Sequence, residues 1–310
     1  MISLRRHVLT LVAVFLALAI GVVLGSTSVA TSIRDSLVER QETTAGQLEI
    51  TQRELTQTRL EADRLDALAG ELTPAVTADR LEDRPVLVVV SPGASDEDVR
   101  AVTDAVSEAG GVDAGRIRIT DQAVAPEADA ELSALVANLP IGTAPAADAD
   151  LGTQLGTALG RAALLRKEDA KPHREDDDRA TVLTTLADAG MIEYEKGTIR
   201  PGQLAVVVTG PVDDESTAAR IASLSRTLDA EGAGTVVVSP ISSGGGQDAV
   251  VALRSSGQSD VSTVDTVGSD AGRLATVLAL AGQLDGEQGD FGTRQDATAA
   301  APSLPPGPTR

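Results

Sequence analysis

Apolar and polar residues follow three successive patterns along the chain. The first is an unbroken apolar run at residues 8–24, seventeen residues without a charged side chain. This length is short for a membrane-spanning helix and long for the apolar part of a signal peptide. A helical pattern resumes directly afterwards, which favours a retained anchor; the small residues Ser28 and Ala30 leave cleavage as the alternative. The anchor side chains are predicted to include Val8, Leu11, Phe15, Leu18 and Val22.

The charges next to the apolar run predict its orientation. Arg5 and Arg6 precede it, and basic residues tend to stay on the cytoplasmic side of a membrane. Residues 1–31 are therefore predicted to form a cytoplasmic tip and a transmembrane signal-anchor. Everything that follows is expected outside the cytoplasm, so the chain is predicted to be a single-pass protein of the cell membrane or cell envelope.

The second pattern, at residues 32–73, is a polar helix whose seam positions are spaced alternately by three and four residues. The leucines of this seam are Leu37, Leu48, Leu55, Leu65 and Leu72. The spacing is that of a heptad repeat, and Pro74 is predicted to end the helix. A solitary polar helix would bury too little surface to be stable in water. We therefore expect a parallel coiled-coil homodimer of modest stability, or a helix that binds a different protein through its seam.

The third pattern alternates strands and helices from residue 79 onward. PVLVVV at residues 85–90 and LAVVV at residues 204–208 are β-branched runs of the kind that is buried on both faces of a parallel sheet. Each run is followed by a helix with acidic residues in its first turn, by glycines and by another strand. Two such βαβ units predict a doubly wound, mostly parallel sheet, so the expected fold class is α/β behind a transmembrane helix and a coiled-coil helix.

Residues 79–285 are predicted to form one α/β domain, and residues 286–310, with four prolines after Ala300, a disordered tail. The predicted helices lie at residues 95–108, 131–139, 151–165, 180–189, 213–230, 248–255 and 270–284. The predicted strands beyond the two β-branched runs lie at residues 116–120, 191–194, 235–239 and 262–267.

The net charge and the lack of cysteine exclude several classes of function. The chain has a net charge of −20, and without Arg5 and Arg6 there remain 24 basic against 46 acidic residues, a charge of −22. Such a surface repels nucleic acid and anionic lipid headgroups, so no nucleic-acid partner is expected. The chain has no cysteine, which excludes disulfides, thiolate metal sites and a cysteine nucleophile.

Catalytic motifs are not apparent in the sequence. His173 is the one histidine beyond the N-terminal tip, and no nucleotide-binding glycine motif follows either β-branched run. We expect no enzyme activity and no firmly bound cofactor. The glycines at residues 244–246 suit a flexible loop or, less readily, an anion-binding loop. His173 with Asp176, Asp177 and Asp178 is a weak candidate for a hard-cation site, whereas copper(I) prefers thiolate, thioether and imidazole donors.

Two stretches of the sequence resemble one protein family. The first is MISLRRHVLTLVAVFLALAIGVVLGS at residues 1–26 together with the polar helix that follows it. The second is STVDTV, GRLATVLAL and GEQGDFG, in that order, within residues 262–292. Both resemble the mycobacterial copper transport protein B family, MctB, and the order of the intervening elements also fits. The resemblance implies an envelope protein that keeps intracellular copper low, for which a channel has been proposed, and it makes copper a possible ligand.

The residues themselves fit a channel poorly. A transmembrane barrel needs repeated segments of about ten residues with alternating apolar and polar positions, and girdles of aromatic residues. The chain has one tyrosine, two phenylalanines and no tryptophan. One apolar helix lines a pore only when several chains assemble. The alternative is a scaffold in which an anchored coiled coil presents an α/β domain to a partner that assembles the cell wall or acts in division, as the resemblance implies for corynebacterial relatives.

Overall fold

The computed structural model describes residues 3–146, 148–241, 247–257 and 260–304, without the side chains of residues 3–5, 26–40, 42 and 43. The chain forms two compact units, Met1–Arg64 and Leu65–Arg310. The predicted glycine loop at residues 244–246 lies outside the described residues.

The first pattern and the second pattern both belong in full to one helix, α1 (Ser3–Thr77). No proline or turn-forming cluster separates the apolar run from the polar helix, so the backbone stays helical through the small residues between them. The predicted end at Pro74 is displaced by three residues. Pro74 lies in the last turn, where Ala78 still donates its backbone N–H to the Pro74 carbonyl oxygen at 3.2 Å.

The second unit contains seven strands, eight further α-helices and the short 3₁₀ helix Pro126–Ala128 among its described residues. The strands are β1 (Pro85–Val90), β2 (Val112–Ile119), β3 (Ile192–Tyr194), β4 (Leu204–Val208), β5 (Gly234–Val238), β6 (Ser262–Val264) and β7 (Asp290–Phe291). The helices are α2 (Asp96–Glu108), α3 (Asp121–Val124), α4 (Asp129–Val136), α5 (Leu151–Ala163), α6 (Asp176–Asp188), α7 (Glu215–Glu231), α8 (Ala249–Ser255) and α9 (Asp270–Leu284).

The strands form one sheet in the order β3-β2-β1-β4-β5-β6-β7, in which only β3 runs antiparallel to its neighbour. Strands β1 and β2, joined by α2, are adjacent and parallel, as are β4 and β5, joined by α7. The mixed α/β fold with a mostly parallel sheet is therefore confirmed. The neighbouring strands β1 and β4 consist of apolar residues, most of them valine, and all are buried except Pro85, as the sequence pattern indicated.

The two faces of the sheet carry different helices. On β1, Leu87 and Val89 point into the core that contains residues of α4 to α8. Val86, Val88 and Val90 point into the opposite core, which contains residues of α2 and α9. The start of α9 therefore lies on the same face as α2. The end of α1 contacts it there.

Two predictions from the sequence need correction here. Helix α6 begins at Asp176, four residues before the predicted start at residue 180, because its three acidic residues fit the first turn of a helix. The predicted disordered tail is ordered as far as the structure describes it. Strand β7 pairs with β6, and Phe291 forms a bridge with Ala299, because buried charged residues of the domain bind this segment. Residues 305–310 lie outside the described residues.

Candidate functional site

The apolar part of α1 is exposed along its whole length. Arg6–Gly25 spans 20 residues and is the one helix in the described ranges that is long and apolar enough to cross a membrane. At 1.5 Å per residue it extends about 30 Å, the thickness of a bilayer core. The predicted anchor side chains Val8, Leu11, Phe15, Leu18 and Val22 are all more than half exposed. None is used to build a protein core, which suits contact with lipid.

The predicted seam of α1 is also exposed. Leu48, Leu55, Leu65 and Leu72 are between 48% and 68% exposed, while the side chain of Leu37 lies outside the described residues. Glu54 and Arg59 flank this seam at the heptad positions that face each other in a parallel dimer. A second copy would therefore bring the carboxylate of one chain next to the guanidinium of the other.

Within the second unit, α1 contacts α9 through a carboxylate. Asp66 accepts hydrogen bonds from the backbone N–H of Asp270 at 3.1 Å and of Ala271 at 2.9 Å. Ser269 caps the same helix by accepting from the N–H of Gly272 at 3.0 Å. The first N–H groups of a helix have no intrahelical acceptor and attract negative charge, so Asp66 occupies a natural anion position.

Gly70 lies one turn after Asp66 and lets the two helices approach. A Cβ atom at this position would come within 2.5 Å of the Asp270 carboxylate, which is itself paired with Arg273. A cleft of about 360 Å³ remains between α1, α2 and α9, lined in part by Thr73, Asp104 and Glu108.

Among the described residues, the most deeply buried charges lie where β6, α8 and the C-terminal segment meet. The side chain of Arg254 is 2% exposed and donates to Asp265, which is fully buried, at 2.7 Å. Arg254 also pairs with Asp296 at 2.9 Å and lies 3.6 Å from Asp290. A buried carboxylate persists only with such partners. The network ties residues 290–296 to the edge of the sheet.

A second buried pair reinforces the first. Arg294 donates to Asp248, a fully buried residue that also caps α8, at 2.6 Å. Thr293 donates its backbone N–H to Asp265 at 2.8 Å. Asp265 of STVDTV and Asp290 and Gly292 of GEQGDFG thus lie close together in one cluster.

The weak metal candidate His173 packs against the end of α7. Its Nε2 lies 2.8 Å from the backbone oxygen of Glu231, and because that oxygen only accepts, Nε2 carries the proton. Its Nδ1 lies 3.6 Å from the Glu231 carboxylate, which also accepts from Arg161 at 3.0 Å. The cation Arg161 beside this carboxylate disfavours a metal ion there.

The acidic candidates Asp176, Asp177 and Asp178 form the first turn of α6, and Asp176 pairs with Arg179 at 2.6 Å. In the described part of the chain, no group of three or more His, Cys, Asp or Glu side chains is placed to hold a metal ion. These acids instead match the positive end of the helix dipole.

Comparison with known proteins shows the family of the chain. A sequence model of the family described as "Copper transport outer membrane protein, MctB" matches residues 1–302. The chain belongs to the MctB family. It is 32% identical to the protein named copper transporter MctB from Mycobacterium bovis and to that from Mycobacterium tuberculosis, over 96% of this chain and 98% of each relative. The protein of the same name from Mycobacterium leprae is also 32% identical over the same shares.

The MctB-like residues of the sequence divide into two groups in the structure. The first group belongs to residues 1–26, of which Arg6–Gly25 form the exposed apolar part of α1 and support association with a membrane. Asp265 and Asp290, from the C-terminal motifs, belong to the ion network of Arg254, and Gly292 lies against the Asp265 carboxylate. This second group stabilises the domain.

Sequence reasoning missed the role of Asp66 and of the Arg254 network. Asp66 looks like any polar residue of a solvated helix, and its contact with α9 has no local pattern. A signal for the network does exist, since Asp265 is an acid inside the otherwise apolar and hydroxylic run STVDTV.

Proposed function

We propose that this chain is a non-enzymatic, single-pass membrane protein of the cell envelope that contributes to copper homeostasis, in keeping with relatives named copper transporter. Its α/β domain lies outside the cytoplasm. The observation that carries the proposal is the family match across residues 1–302 combined with an exposed apolar helix of membrane-spanning length.

The charge distribution supports this topology. Arg5 and Arg6 flank the cytoplasmic end of the apolar run, and the rest of the chain carries 46 acidic against 24 basic residues. Basic residues near a spanning helix set its orientation, so the acidic bulk is translocated.

The mechanism that we propose is assembly. The exposed leucines of α1, flanked by Glu54 and Arg59, form a seam that pairs with a second copy in parallel. The dimer then presents two α/β domains to another envelope protein. A different protein in place of the second copy is the alternative occupant of the seam.

Direct chelation of copper fits the donor chemistry poorly. Copper(I) prefers sulfur and imidazole ligands, whereas the chain has no cysteine, and Met191, its one methionine after the initiator, is fully buried. The negative surface attracts cations, but attraction alone makes no selective site. We therefore place the role in copper homeostasis at the level of the assembled envelope.

A copper conduit built from several copies is the second candidate. It is favoured by the seam itself, because pairing at residues 48–58 would bring the apolar helices of different chains together. Full-length protein reconstituted in lipid vesicles decides between the two. The proposed function predicts that copper enters these vesicles no faster than protein-free ones. Saturable copper entry that depends on the protein would establish the conduit instead.

A further inference from the structure

The end of α1 is attached to the domain without an apolar interface of its own. Within residues 65–77, all of them described, Thr77 is the one buried residue. Leu65, Leu68 and Leu72 are 68%, 50% and 51% exposed. A helix that docks permanently on a domain usually buries an apolar stripe. This segment gains little hydrophobic stabilisation from its contact.

The contact depends instead on charge and close approach. The Asp66 carboxylate accepts hydrogen bonds from the backbone N–H groups of Asp270 and Ala271. Gly70 leaves the space that the Asp270 side chain occupies. The Asp66 interaction is partly open to solvent, and attraction between a carboxylate and a helix N-terminus is screened by salt. Such a contact breaks at a lower free energy than a buried core.

The helix itself survives separation, because its backbone hydrogen bonds are internal to it. We propose that residues 65–77 are a strap that docks on α9 and undocks from it as a unit while the domain stays folded, and that Asp66 holds the docked state. Undocking frees the first N–H groups of α9 and opens the cleft lined by Thr73, Asp104 and Glu108.

Engineered cysteines test the strap, since the chain has none of its own. Spin labels at Glu71→Cys on α1 and Asp188→Cys on α6, two exposed positions, report the distance between strap and domain in the full-length protein in nanodiscs. Asp66→Ala is expected to broaden the distance distribution and add a longer component. Asp63→Ala removes the same charge from an exposed position one turn earlier and should leave the distribution unchanged.

Amide exchange provides the second readout. In Asp66→Ala, the peptide that contains Asp270 and Ala271 should exchange about fivefold faster, the change expected from losing one helix cap. Ionic strength of about 1 M, where the Debye length is about 3 Å, should move wild type towards the same state. Alanine favours helix more than aspartate, so helix loss cannot produce these changes.

Two results overturn the proposal. Unchanged distances and exchange in Asp66→Ala would show that Asp66 does not hold the segment. Loss of the cooperative unfolding transition in that variant would show that residues 65–77 are an integral part of the domain and do not undock from it.

Discussion

Gly292 passes so close to the carboxylate of Asp265 that a Cβ atom on Gly292 would overlap it. The glycine has a φ of +132°, a backbone conformation that L residues avoid. This approach lets Thr293 donate its N–H to Asp265 at 2.8 Å. The two motifs that resemble the family, STVDTV and GEQGDFG, thus contact each other in the folded domain.

Gly292→Ala should lower the free energy of unfolding by roughly 3 kcal/mol, because it adds both backbone strain and a clash with Asp265. Urea unfolding of the compact unit Leu65–Arg310 measures this. Gly286→Ala is the matched control, since Gly286 has a φ of +75° but open space around its Cβ position. It should cost about 1 kcal/mol. Equal losses in the two variants would remove the argument for close approach.

Arg254→Met should destabilise the same unit by about 3–5 kcal/mol, because it leaves the buried Asp265 without its cation. Arg166→Met is the control, since Arg166 and Asp169 form an ion pair that is 41% and 37% exposed. That substitution should change the unfolding free energy by less than about 1 kcal/mol. A small effect of Arg254→Met would mean that the C-terminal segment is held by other contacts.

Asp229 should make the domain less stable as the pH rises. Burial raises the pKa of this carboxyl from 3.8 to about 6, against the hydrogen bond from the Thr235 N–H at 2.7 Å and the charge of Lys167, with Asp260 adding to the rise. Between pH 3.8 and 6 the folded state holds the extra proton, so the unfolding free energy falls with rising pH. Asp229→Asn, which keeps the acceptor, should stabilise the domain at pH 7.5 by up to about 3 kcal/mol and have little effect below pH 4.

Asp214 provides a control, because its effect on stability should change with pH in the opposite direction. Hydrogen bonds from Ser216 and Thr217 lower the pKa of its carboxyl to about 2. Its stabilisation is present above pH 3.8 and is lost as the pH falls towards 2. Asp214→Asn should therefore destabilise the domain at neutral pH, and the difference from wild type should shrink in acid. The same pH profile for both variants would contradict the assignment of Asp229.

A fragment of residues 32–310 should sediment as a dimer. Leu48→Asp with Leu55→Asp should make it monomeric, because each charge would be buried without a partner in the seam. The control is Ile50→Asp with Leu60→Asp, which adds the same charges at exposed apolar residues off the seam and should remain dimeric. A monomeric wild-type fragment at high concentration would leave a different protein as the seam's partner.

The elements that follow local patterns were predictable from the sequence. Strand β4 (Leu204–Val208) and helix α9 (Asp270–Leu284) have the predicted bounds, since a β-branched run and a capped amphipathic helix carry their own signals. The contact between Asp66 and Asp270 joins residues 204 positions apart and has no such signal. The order of the C-terminal segment was missed for the same reason, because it depends on Arg254 and Asp248, which precede it by about forty residues.

Copper tolerance of a strain that lacks its own copy of this protein tests the central claim most directly. The strain is complemented in turn with wild type, with the Leu48→Asp/Leu55→Asp chain, with the Ile50→Asp/Leu60→Asp chain and with His173→Gln. A function that depends on assembly predicts that wild type, the off-seam control and His173→Gln restore growth in copper, while the seam variant does not. Full tolerance with the seam variant, together with failure of His173→Gln, would contradict the account and locate the function in a metal site.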